Sequence, residues 1–98
     1  MGTGQRIQNV SRSIPLGRIV ATRNALAQVS HADIVHALHR HQHRDWGDLC
    51  RSDRAANDRA LVDGTRILSA YETESGVKFW IITEADRSFT TVLLPADY

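Results

Sequence analysis

The sequence predicts an α+β domain: a short N-terminal strand, three helices, then a three-stranded antiparallel meander, with the helices packed on one sheet face. Two observations predict it. Before Gly64, apolar residues recur at helical spacing between residues that cap helices. After Gly64 the period changes to three β-rich runs, RILSAYE, VKFWIIT and FTTVLLP. The links between them, TESG and EADRS, are turns too short for a parallel crossover, so residues 66–95 are expected to pair antiparallel.

Each element has its own signal. Residues 1–13 are rich in Gly, Ser, Arg and Gln and read as a flexible tail, leaving one domain over 14–98. LGRIVAT (16–22) follows Pro15 and has the β-branched character of a short strand. Thr22 can cap a helix carrying Ala25, Leu26 and Val29, and Ser30 with Asp33 opens a second, HADIVHALHRHQ. The apolar stripe of the second helix is Ile34 and Leu38 with Val35 and Ala37, and DWGD should stop it near Arg44. Asp53 is expected to cap a third helix that buries Ala56, Ala60 and Leu61 and ends on a left-handed Gly64. In the middle β-run both faces are largely apolar, as in a central strand whose outer face, around Trp80, is only partly covered.

Composition narrows the function. With 98 residues and 42% hydrophobic content, the chain has room for a modest core but not for a core plus a deep catalytic cleft. No apolar run reaches the roughly 18 residues of a membrane span, and no apolar signal core is present, so the expected address is cytoplasmic, without membrane contact. The single cysteine, Cys50, suits a reducing compartment and reads as a half-buried structural thiol. Net charge is +1, but residues 1–54 carry +4 and residues 55–98 carry −3. A basic half built on arginine suits phosphate or an acidic protein.

The densest chemistry lies in HALHRHQHRDWGD (36–48). His36, His39 and His43 share a helical face, and His39 and His43, four apart, have the spacing at which two imidazoles grip one Zn²⁺. Asp45, Asp48 or Cys50 could add a further ligand, but none of these spacings matches a zinc signature, so the segment reads as a polar helix end, and neither metal nor cofactor is expected. Trp46 is expected to fold under as a core plug; stacking on a base, with Asp48 taking a metal, is the functional alternative. Arg40, Arg44, Arg51 and Arg54 could join the histidines in contacting nucleic acid. Asp86 and Arg87 occupy the second hairpin turn, which reads as an Asx turn. No nucleophilic triad or phosphate loop is signalled.

The blocks PLGRIVAT, HRDWGDLC, AANDRALVDG, RILSAY and above all FWIITEADRSFTTVLLPADY resemble a group of small uncharacterised bacterial proteins of plasmids and integrative elements. These are labelled plasmid-related or, loosely, type I restriction subunits. The resemblance covers residues 14–98 and implies a mobile-element setting, with no catalytic residue to carry over. The order of a strand, helices and a meander is also similar to that of the RelE-like toxin ribonucleases. That likeness implies Arg66, Lys78, Arg87 and Tyr98 as mRNA-cleaving groups, against which stand the acidic C-terminal half and the third helix.

The sequence therefore predicts a non-enzymatic module that binds a protein or a second copy of itself, and analogy with small mobile-element proteins extends this to interference with host defence. Arg40, Arg44, Trp46, Asp48, Trp80, Asp86 and Arg87 are its candidate contact residues. Nucleic-acid binding through residues 36–54 and toxin ribonuclease activity are the alternatives.

Overall fold

A computed structural model describes residues 13–98. The elements are β1 (Arg18–Ala21), α1 (Arg23–Gln28), α2 (His31–Gln42), α3 (Arg51–Asp63), β2 (Ile67–Glu72), β3 (Lys78–Thr83) and β4 (Phe89–Leu93), then a 3₁₀ turn at Pro95–Asp97. Apart from Ser13, the expected tail lies outside the described residues.

The helix caps follow the sequence with one shift. The Thr22 hydroxyl accepts from Ala25 N–H and the Ser30 hydroxyl from Asp33 N–H, both at 3.1 Å. Gly64 closes α3 at φ 72°, a left-handed cap. At the other end, α3 starts two residues before the expected Asp53 cap: Cys50 holds the cap position without a side-chain bond, and Asp53 sits in the first turn. A carboxylate there still faces the unpaired amides of the helix start, so the signal was right and its register was not. Cys50 itself is exposed, not half-buried.

The sheet has four strands in the order β1-β4-β3-β2. β2, β3 and β4 form the expected antiparallel meander, with Ser69 opposite Ile81 and Ile81 opposite Val92. The correction concerns β1, which lies parallel to β4 with Arg18 opposite Phe89 and Ala21 opposite Val92. A parallel partner requires a long connection, and the three helices with β2 and β3 supply it. Four residues of strand pattern carry no information about a partner some 70 positions away, and the mixed sheet was therefore not foreseen.

Inward-facing residues divide into two apolar clusters. Ala25, Val29, Ile34 and Ala37 of the helical layer meet Tyr71, Phe79, Ile81, Val92 and Leu94 in the larger. Ile14, Trp46, Ala60 and Ile67 form the smaller. Leu26 and Val35, expected inside, are exposed, because each lies off the stripe that reaches the sheet. Ala56 is exposed too; α3 buries only Asn57 and Ala60. So polar a helix has to be held by hydrogen bonds. Asn57 Nδ2 donates to Leu68 O at 2.6 Å while Asn57 Oδ1 accepts from Leu68 N–H at 3.2 Å. The Trp46 indole donates to Asp58 at 3.1 Å, and the Arg87 guanidinium donates to Ala60 O and Thr65 O at the helix end.

These contacts also close one sheet edge. The outward groups of Leu68 are taken by Asn57, and those of Ala70 by Trp46 O (3.2 Å) and Asp48 N–H (2.8 Å). Gly47 makes the close approach at this edge possible: at φ 74° its missing Cβ would stand 2.0 Å from Ala70 O. Gly47→Ala is therefore expected to destabilise the domain by at least about 2 kcal/mol through strain and loss of this edge pairing. Urea unfolding against wild type measures the loss, and an unchanged midpoint would show that the edge tolerates a side chain.

Candidate functional site

The histidine-rich segment does not act as one surface. His36, His39 and His43 lie on the exposed side of α2, whereas Ile34, Ala37 and His41 form its buried side. His41 is fully buried and was not singled out from the sequence. Its signal was nonetheless present, since 41 lies four positions after Ala37 and seven after Ile34, on the core stripe.

His41 sits between the apolar clusters in a chain of buried hydroxyls. Its Nδ1 is 2.6 Å from Ser69 Oγ, and its Nε2 is 2.8 Å from Thr83 Oγ1. Thr83 Oγ1 is 2.8 Å from Thr90 Oγ1, which donates to Leu16 O at 2.7 Å. Each hydroxyl has a single proton, and this fixes the direction of the chain. Thr90 spends its proton on the carbonyl, so Thr83 donates to Thr90 and accepts from His41. His41 Nε2 therefore carries a proton, and with the buried ring neutral, Nδ1 accepts from Ser69. Burial, with the nearby positive charge of Arg87 as a smaller cause, lowers the His41 pKa from 6.5 to about 4. A serine held by a histidine resembles an activated nucleophile, but neither side chain is accessible to substrate.

The other candidates separate into structural and exposed groups. Trp46 is 4% exposed and cannot stack on a base, which removes it as a contact residue and bears out the core plug. Arg87 is held within the fold: its guanidinium donates to Thr65 O, Glu84 O and Ala60 O. Asp86 accepts from Ser88 N–H at 3.0 Å, the expected Asx turn. Arg40 pairs with Asp45 at 2.7 Å and lies 4.8 Å above the Tyr71 ring, holding the Asp45 carboxyl below its usual range. Asp48 is exposed, and its N–H serves the β2 edge. Arg44 is exposed at φ 67° just past the end of α2.

The His39 and His43 rings lie with centroids 4.3 Å apart at a 35° tilt, and His43 Nδ1 is 2.8 Å from His39 O. Among the described residues, no group of three or more His, Cys, Asp or Glu side chains converges as a metal site would require. A cavity of about 240 Å³ beside Arg40 mixes Asp33, Glu72 and Glu74 with His36, so it favours no ligand of one charge sign. On the outer sheet face Trp80 is half-buried and meets the Tyr98 ring edge-on at 5.7 Å, and Arg66 donates to the Tyr98 hydroxyl at 2.9 Å. Of the four residues implied by the toxin likeness, Arg66 and Tyr98 therefore meet, while Arg87 is engaged elsewhere.

The remaining feature is the β1 edge, which sequence reasoning missed. Arg18 N–H donates to Ser88 O and Thr22 N–H to Val92 O, so alternate residues Arg18, Val20 and Thr22 face β4. The N–H and C=O groups of Ile19 and Ala21 point outward, and among the described residues nothing pairs with them. Ile19 is 49% exposed, Val20 38% and, beside them, Leu26 63% and Phe89 40%. Open strand groups flanked by apolar side chains are the chemistry of strand addition.

The hydroxyl chain makes a pH prediction. Free His41 gains a proton near pH 6.5 but folded His41 only near 4, so its contribution is complete above 6.5 and lost as pH falls through that window. The loss is on the order of 3 kcal/mol. Urea unfolding at both ends of the window measures it, and ¹⁵N-detected imidazole spectra should show the Nε2–H tautomer; an Nδ1–H signal for His41 would reverse the assigned chain.

No family model, curated protein or solved structure matches this chain in comparison, so its site is read from its own chemistry.

Proposed function

We propose that the domain is a non-enzymatic protein-binding module that receives an extended strand along β1. One observation carries this reading: the two sheet edges are treated oppositely. The β2 edge is capped at Leu68 and Ala70 by Asn57, Trp46 and Asp48, while β1 offers the outward groups of Ile19 and Ala21 beside exposed Ile19, Val20, Leu26 and Phe89. Folded domains generally blunt such an edge, because it pairs with any available strand. An edge left open and apolar is a binding surface.

The same reading draws on how the described candidate side chains are occupied. The one histidine bonded to a serine is sealed inside, and Arg87 is committed to backbone carbonyls. A mobile-element setting follows from the resemblance, interference with host defence from analogy with small mobile-element proteins, and a cytoplasmic address from the expected lack of a membrane span or signal core. Among the described residues, no helix is long and apolar enough to cross a membrane.

Affinity capture from host lysate tests the proposal with wild type and Ile19→Lys side by side, each with and without nuclease. Wild type should retain a stoichiometric protein that survives nuclease, and Ile19→Lys, still folded by circular dichroism, should lose it. Partners that vanish with nuclease and ignore Ile19→Lys would instead assign binding to the arginines and histidines of residues 36–54.

A further inference from the structure

We infer that the strand received by β1 is β1 of a second copy, paired antiparallel about a two-fold axis at Val20. The inference rests on the strand-receiving reading above and adds the identity of the occupant.

Register follows from which groups point outward. In an antiparallel pair, two opposed residues that both face the partner exchange two hydrogen bonds. Ile19 and Ala21 are the outward residues of β1, and setting Ile19 opposite Ala21 of the second copy pairs both within the strand. The two-fold axis repeats the exchange, and every outward group of the strand is then satisfied. Val20 meets its own symmetry mate as the close, non-hydrogen-bonded pair. RIVA is therefore complementary to itself without a shift or bulge.

Charge supports the same register. Arg18 is the charge that would ordinarily discourage edge pairing, and a direct Arg18–Arg18 opposition would repel. In this register Arg18 instead opposes Thr22 of the second copy. The Thr22 hydroxyl donates to Asp97 Oδ2 at 2.6 Å, and Asn24 Nδ2 donates to Asp97 Oδ1 at 2.7 Å, so a carboxylate is fixed where Arg18 arrives. Those bonds, with the Leu94 amide, hold the Asp97 carboxyl below its usual range and keep it charged. Among the described residues Arg18 has no carboxylate partner within its own chain. The two-fold axis makes this contact twice.

Apolar exposure is concentrated at the same place. Of the seven large apolar side chains exposed among the described residues, Ile19, Val20, Leu26 and Phe89 lie on β1 or on the elements beside it. Ile19 faces the helical layer, where α1 follows β1 after the single residue Thr22, so Leu26 extends the apolar strip below the strand pair.

Sedimentation equilibrium of the full chain and cross-linking test the inference together. Wild type should have twice the chain mass at about 100 µM, and Ile19→Lys and Arg18→Glu should each raise the dimer dissociation constant at least about tenfold. Val20→Cys, made with Cys50→Ser to remove the exposed native thiol, should form a disulfide dimer on mild oxidation, because facing non-hydrogen-bonded positions have Cβ atoms close enough to bridge. Arg18→Cys in the same background should not. A monomeric wild type overturns the inference, as does a dimer indifferent to Ile19→Lys, or cross-linking through Arg18→Cys in place of Val20→Cys. A monomer that still captures an Ile19-dependent protein leaves strand reception standing and gives the edge to a foreign strand. A monomer that captures none removes both readings.

Discussion

The chain of hydrogen bonds running from Ser69 through His41, Thr83 and Thr90 to Leu16 is the constraint on which the fold depends. It crosses the inner sheet face between the two apolar clusters and links α2 to β2, β3, β4 and the approach to β1. Apolar packing alone would tolerate sliding of α2 over the sheet, since Ile34 and Ala37 make nondirectional contacts. A buried imidazole with two fixed partners does not slide. Removing any hydroxyl leaves a buried polar group unpaired, a penalty of roughly 1–3 kcal/mol, so the chain specifies one register more than it adds net stability.

The chain ends on the Leu16 carbonyl, one residue before Gly17 and two before β1. Gly17 has φ 62° and no space for a Cβ, which would lie 2.3 Å from Ser88 O. The anchored carbonyl and the left-handed glycine together aim a short segment into parallel pairing with β4. A four-residue strand has little means of holding that position alone. Its place is set from within by a core histidine, and its outer side is left without a partner among the described residues. The core chain and the exposed edge are thus consecutive links of one argument.

Much of this was legible in the sequence, and what was not has a common physical cause. Thr22 and Ser30 declared two helix starts, and Gly64 declared a helix end, because caps are local chemistry. The meander was legible because its turns are short. Partnerships between distant residues were not: the parallel β1–β4 pair, the Asn57 bonds to Leu68, and the commitment of Arg87 to the end of α3. His41 was legible in principle from its place on the buried stripe but was obscured by its exposed neighbours, whose number drew attention to a surface reading. Arg87 and Trp46 show the converse: residue types that suit binding can be consumed by the fold.

The unequal edges carry the functional argument one step further. Closing β2 required Gly47 without a side chain, Asn57 aimed at one backbone position, and Asp48 with its amide turned inward. That is a large investment of specific residues in preventing pairing on one side. Directional growth of a sheet requires this arrangement: two open edges would permit indefinite addition, whereas one open edge limits assembly to a single partner. If that partner is a second copy, the two closed β2 edges lie at the outer ends of an eight-stranded sheet, and assembly stops at two. The residues that seal β2 are then as much part of recognition as those exposed on β1, because they make its stoichiometry finite.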